Sequence, residues 1–188
     1  FEPRYLAMID AALRTDRVIG MIQPRFDSAA IDRSGRPDLC AVGCLGRITQ
    51  FAESGDGRYL ITLTGIARFR VAEELASVTP YRQCRIDCEP FADDFKPNFG
   101  EAAVDRKALL TAFRAYLDDN NMEADWSSVD QASNETLVNA LSMMSPYGAP
   151  EKQALLEAAS LRMRADTLIA ITEMMLAKGN RDTPGTLQ

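Results

Sequence analysis

Leu39-Cys-Ala-Val-Gly-Cys-Leu-Gly-Arg-Ile-Thr49 and, after Gly55-Asp-Gly57, Tyr59-Leu-Ile-Thr-Leu-Thr-Gly-Ile-Ala-Arg-Phe-Arg-Val71 decide how this chain is read. Both stretches alternate in the manner of antiparallel sheet. Tyr59, Ile61, Leu63, Gly65, Ala67, Phe69 and Val71 keep one largely apolar register, and Thr62, Thr64, Arg68 and Arg70 fall on the other face. Thirteen residues is long for a strand. Gly65, with no side chain to pack, therefore marks an expected bulge or bend that carries the register round a small barrel.

Working outward, Pro3 opens a helix carrying Tyr5, Leu6, Met8, Ile9, Ala12 and Leu13, which should end near Arg14 or Thr15. Val18–Ile22 reads as a short buried strand closed by Pro24, and Gln23–Asp38 as a long polar loop. Thr79-Pro-Tyr81 interrupts the sheet before the strand Arg82–Cys88, which Pro90 ends. The composition then shifts near Asp93–Pro97 and the period becomes helical. Ala102 to Leu117 predicts one helix, and Ser133 or Asn134 caps a second that Pro146 stops. A short helix with Leu155 and Leu156 follows, and Ser160 opens a last one that Lys178-Gly179 should terminate. The expected organisation is α+β: a β-rich subdomain over residues 1–95, a helical subdomain over 98–179 and a flexible tail over 180–188.

Composition narrows the function. With 188 residues and 46% hydrophobic content the chain can bury a sizeable core. No run approaches the roughly 18 apolar residues of a membrane span, and Phe1-Glu-Pro-Arg-Tyr5 has no signal-peptide pattern, so a cytoplasmic protein without membrane contact is expected. The first residue is Phe rather than Met, which leaves room for an upstream segment. A net charge of −6 argues against general nucleic-acid affinity. Arg58, Arg68, Arg70, Arg82 and Arg85 do concentrate in the β segment, where a solvated, ion-paired face is the first expectation and RNA binding the alternative.

Histidine is absent, which removes Ser-His-Asp and Cys-His catalysis and His-ligated zinc. Cys40/Cys44 and Cys84/Cys88 are spaced as if for a metal, but both pairs fall in segments that read as strands. Four residues of strand span roughly 13 Å, too far for two thiolates to meet one ion at about 2.3 Å each. Free thiols packed as small hydrophobes are expected instead, and the even count leaves disulfides open. None of Lys96, Lys107, Lys152 and Lys178 sits in a motif that would activate a serine, and no phosphate-binding GK[ST] loop follows a strand. No catalytic residue, cofactor or metal is assigned. Met143, Met144, Met163, Met174 and Met175 are expected to be core packing.

The chain resembles the N-terminal substrate-binding domain of the Lon protease family. The resemblance rests on Phe1-Glu-Pro-Arg-Tyr-Leu6, Val42-Gly-Cys-Leu-Gly-Arg-Ile48, Leu63-Thr-Gly-Ile-Ala-Arg-Phe-Arg-Val71, Glu151-Lys-Gln-Ala-Leu-Leu156 and Ala170-Ile-Thr-Glu-Met-Met-Leu176. It implies a PUA-like pseudo-barrel followed by a small helical bundle. Full-length members continue into an ATPase and a Ser-Lys peptidase, so a chain ending at Gln188 resembles the stand-alone members. The family also places a strand immediately before Phe-Glu-Pro, without which one sheet edge would be unpaired.

The resemblance implies a non-catalytic module that binds unfolded or apolar polypeptide segments, and it assigns no oligomeric state. The contact surface is expected at the junction of the halves, with Gln23, Pro24, Arg25 and Phe26 near Tyr81, Phe91 and Tyr147. Ordinary packing between the subdomains is the alternative for the aromatics. Two other functions stay open: an RNA-binding module using Arg68, Arg70, Arg82 and Arg85 on an exposed sheet face, and a small-molecule enzyme or sensor built on a pocket without a known motif.

Overall fold

A computed structural model describes residues 2–26 and 36–182. The chain divides into two compact units, Phe1–Pro97 and Asn98–Gln188. The first is a helix on a curled sheet. Helix α1 (Pro3–Leu13) begins with proline in its first turn, where the missing N–H costs nothing. Strands β1 (Val18–Met21), β2 (Val42–Glu53), β3 (Tyr59–Leu75) and β4 (Gln83–Asp87) follow as an antiparallel meander in the order β1-β2-β3-β4.

The bulge expected at Gly65 is present. Leu45 faces Ala67 and Gly46 faces Gly65, which leaves Ile66 as the extra residue, and two more register shifts, one on each of β2 and β3, add further bends. At the β2–β3 turn Gly55 and Gly57 take φ of 74° and 78°, where a Cβ would be strained. The sheet face under α1 buries Ile9, Ala12, Ile19 and Ile48, with Tyr59, Ile61 and Leu63 packed against them. Each fully buried Ile contributes about 1.5–3 kcal/mol.

Strand β3 departs from simple alternation. Arg68, expected on a solvated face, is 7% exposed and as buried as its neighbours Ala67 and Phe69. A 3-10 segment, Glu89–Phe95, covers it. The Arg68 guanidinium donates to both Asp94 carboxylate oxygens at 2.8 and 2.7 Å, its backbone N–H donates to Oδ2 at 2.9 Å, and its plane lies 4.6 Å from the Phe91 ring. A buried guanidinium needs this much: a counter-charge, bidentate bonds and an aromatic face.

The second unit is helical: α2 (Arg106–Asp119), α3 (Trp126–Gln131), α4 (Asn134–Met144), α5 (Ala149–Glu157) and α6 (Leu161–Asp182). The single helix expected from Ala102 begins instead at Arg106, because Asp105 caps it by accepting the Ala108 N–H at 2.9 Å, and Ala102 belongs to a separate 3-10 turn. Ser133 caps α4 as expected, accepting the Thr136 N–H. Gly179 does not stop α6, which runs to Asp182; residues 183–188 of the expected tail lie outside the described residues. Val104, Leu109, Val138, Leu155, Ala165, Leu168 and Ile171 form the core.

The methionines correct the expectation of core packing. Met143 and Met144 are 74% and 80% exposed, and Met163 and Met174 are exposed too; of the five, Met175 alone packs against the core. Helical spacing alone does not say which stripe faces inward once α4 and α6 bury other residues. No helix among the described residues is long and apolar enough to cross a membrane.

Candidate functional site

The loop between β1 and β2 leaves the sheet as a narrow stem. The Arg25 N–H donates to the Asp38 carbonyl and the Cys40 N–H to the Gln23 carbonyl, each at 2.8 Å, and Pro24 bridges to Leu39. Gln23, Pro24, Arg25 and Phe26 therefore form one side of the stem, with Phe26 47% exposed. The Cys40 thiol donates to the Pro24 carbonyl at 3.8 Å, which places a small buried group at the stem's base.

The β3–β4 turn meets this stem. Arg82, just after Tyr81, sends Nη1 to the Pro37 carbonyl at 2.6 Å and Nε to Glu74 Oε1 at 2.8 Å, while Nη2 pairs with Glu74 Oε2. Arg36 reaches the same carboxylate at 3.8 Å. The end of β3 carries Leu75, and the turn carries a fully exposed Val78. Exposed apolar side chains on irregular backbone, held by an ion-paired cluster on a rigid sheet, are the usual material of a recognition surface.

Beside the stem's base lies a cleft of about 410 Å³, lined by apolar side chains together with Thr15, Arg82 and Gln83. Its lining includes Ala11 of α1, Val18 of β1, Ile22, Leu39, Phe69, Tyr81 and Ile86 of β4, so both edge strands of the sheet open onto it. Cys84 also lines the cleft, and burial, aided by the charge of Glu74, pushes its thiol up. That pocket size suits a side chain or a small ligand.

Of the seven residues expected at a contact surface, Gln23, Pro24, Arg25, Phe26 and Tyr81 share this end of the β unit. Phe91 is 7% exposed beneath Arg68. Tyr147 is 9% exposed in the helical unit, where its hydroxyl meets Thr172 Oγ1 at 2.7 Å and Thr172 donates on to the Leu168 carbonyl. Glu74 and Arg36 were not assigned from sequence and Arg82 was read only as a candidate RNA contact, although a Glu and an Arg eight residues apart across Thr79-Pro-Tyr81 are a readable cross-strand pair.

Of the arginines read as an RNA face, Arg70, Arg85 and Arg58 are exposed and Arg68 and Arg82 are held by partners. Arg68 turns inward to Asp94, Arg82 is committed to Glu74 and Pro37, and Arg85 and Arg58 pair with Glu73 and Asp56 at 3.3 and 3.4 Å. The four cysteines are free thiols, with Cys44 and Cys84 within strands and Cys40 and Cys88 just outside them.

Residues 1–173 match the family model of the ATP-dependent protease La (LON) substrate-binding domain. Lon protease 2 of Myxococcus xanthus is 37% identical over 82 residues, 44% of this chain and 10% of that protein. Lon protease of Anaeromyxobacter dehalogenans (strain 2CP-C) is 34% identical over 82 residues, 44% of this chain and 9% of that protein. The matched region thus spans about a tenth of these relatives. The crystal structure of a Lon N-terminal domain protein from Xanthomonas campestris superposes with a TM-score of 0.63 at 19% identity, covering 90% of this chain and 85% of the other, and so shares the fold. The chain belongs to the Lon substrate-binding domain family.

Proposed function

We propose that this protein is a non-catalytic recognition module that binds unfolded, apolar stretches of polypeptide through the stem and turn end of its β unit. Membership of a substrate-binding domain family supports the polypeptide class of ligand. The observation that carries the location is the exposure of Phe26 on the stem, Leu75 at the end of β3 and Val78 on the turn, stem and turn being joined by Arg82, beside a cleft lined in part by Ile22, Leu39 and Tyr81. The sequence supplies no activated nucleophile and no phosphate-binding loop, so the purified chain is expected neither to hydrolyse ATP nor to cleave unfolded protein.

A contact of this kind buries little area and must order a flexible chain, so its free energy falls at about −5 to −8 kcal/mol, in the micromolar range. Titration with a permanently unfolded, casein-like protein tests it. Binding weakened by Phe26→Ala and insensitive to salt supports apolar recognition at this end. RNA binding with a steep salt slope would replace it.

A further inference from the structure

We propose that Asp56-Gly57, at the tip of the β2–β3 turn, is a site of spontaneous aspartate isomerisation, and that the Ser54 hydroxyl is the brake on it. The modification is independent of the polypeptide-binding function above.

The chemistry needs only these two residues and water. The Gly57 amide nitrogen attacks Cγ of Asp56, the new N–Cγ bond replaces a Cγ–O bond, and the carboxyl oxygen leaves as water with its own proton and the amide's. The five-membered imide is then hydrolysed at either carbonyl. Water added at Cγ restores aspartate. Water added at the Asp56 backbone carbonyl carbon leaves isoaspartate, with the chain running through the former side chain and one extra methylene in the turn. Nothing is oxidised or reduced.

Sequence and turn geometry single out this step. Asp56 is the one Asp or Asn in the chain with Gly after it. Glycine has no Cβ to hinder its own nitrogen, and a Cβ built on Gly57 would meet nothing within 4 Å. Gly55 and Gly57 flank Asp56 at φ of 74° and 78°, and the Asp56 side chain is 56% exposed. The turn is closed by the Ser54 N–H on the Arg58 carbonyl at 3.1 Å, whereas among the described residues the Gly57 N–H makes no hydrogen bond. The nitrogen that must attack is the one the turn leaves untied.

The same turn restrains the carboxylate. Asp56 Oδ1 accepts from the Ser54 hydroxyl and from the Arg58 N–H at 3.3 Å, and Oδ2 lies 3.4 Å from the Arg58 guanidinium. The Ser54 hydroxyl also reaches the Arg58 carbonyl at 3.1 Å, within the turn's closing pair. Led by Ser54, the donors hold the Asp56 carboxyl below its ordinary 3.8. Only the neutral acid loses its oxygen as water, so a group kept ionised forms the imide slowly.

Incubating the folded whole chain at neutral pH and physiological temperature for several weeks tests the site. Peptide mapping with electron-transfer fragmentation separates isoaspartate from aspartate of equal mass. Isoaspartate should accumulate at residue 56 faster than at any other aspartate. In Ser54→Ala, an exposed change outside both strands, the rate should rise several-fold. In strong urea, where the turn is gone, wild type and Ser54→Ala should isomerise at one rate. Wild-type isoaspartate at residue 56 no higher than at the other aspartates overturns the site, with no variant needed. An unchanged rate in folded Ser54→Ala, or a difference from wild type that persists in urea, overturns the brake.

Discussion

Removing Asp94 should cost the β unit much of its stability, because it strands a guanidinium in the interior. The Arg68 and Asp94 side chains are 8% and 19% exposed, and the carboxylate accepts three bonds between 2.7 and 2.9 Å from Arg68. Breaking a buried pair by deleting one partner costs about 3–5 kcal/mol, while replacing both by apolar groups of similar volume is often near neutral. Asp94→Ala should therefore destabilise by about 3–5 kcal/mol, against a total of about 5–15 kcal/mol for a typical domain. With a urea slope near 2 kcal/mol per molar, the β-unit midpoint falls by about 2 M. The double variant Arg68→Met/Asp94→Leu should recover more than half of that loss. Urea unfolding followed by far-UV circular dichroism, with exchange of β3 amides to localise the change, measures both. A loss below about 1 kcal/mol in Asp94→Ala, or a double variant no better than the single, would refute the claim that uncompensated charge is the cause.

Trp126, the sole tryptophan, packs on Phe113 and Arg114 and reports on the helical unit. Thr172→Val should lower that unit's urea stability by about 1–3 kcal/mol, because the buried Tyr147 hydroxyl loses its acceptor, and Tyr147→Phe by about 1 kcal/mol. Acid should loosen the same unit. The Glu135 N–H, and then Ser133, hold the Glu101 carboxyl below its ordinary 4.5, and the Ser128 hydroxyl and N–H hold Asp125 below 3.8. Depressed carboxyls stabilise above their ordinary values and lose that contribution as pH falls through the folded ones. Stability should therefore decline below about pH 4.5, and wild type and Glu101→Gln should converge in acid after differing at pH 7; equal gaps at pH 7 and pH 3 would contradict this. Gly43→Ala should cost at least about 1–3 kcal/mol in the β unit, since a Cβ there would lie 2.4 Å from the Phe69 ring and 2.6 Å from the Met21 carbonyl.

Much of the fold was legible because local signals agreed with one another. The alternation from Tyr59, the glycine beside the bulged Ile66, Pro3 at the start of α1 and Ser133 at the start of α4 each carry their structure in a few adjacent residues. What was not legible depends on residues distant in sequence. Arg68 reads as solvated until Glu89–Phe95, which runs into the composition shift near Asp93–Pro97, folds over it. The methionines read as core because their spacing is helical, yet the inward stripes of α4 and α6 belong to residues such as Val138, Ala165 and Leu168. The same divide runs through the candidate site: Gln23 to Phe26 stand out as an unusually long loop, whereas the cluster that positions them joins Arg36, Glu74 and Arg82 from three segments.

The central claim is that the stem and turn end of the β unit recognises unfolded, apolar polypeptide. Its most direct test is an equilibrium titration of the whole chain with a casein-like unfolded protein at two salt concentrations, beside Phe26→Ala. The account predicts a micromolar dissociation constant that changes little with salt and a several-fold weakening in Phe26→Ala, with the circular dichroism spectrum unchanged because Phe26 is 47% exposed. No binding at about 100 micromolar, or equal affinity for the wild type and Phe26→Ala, would contradict it.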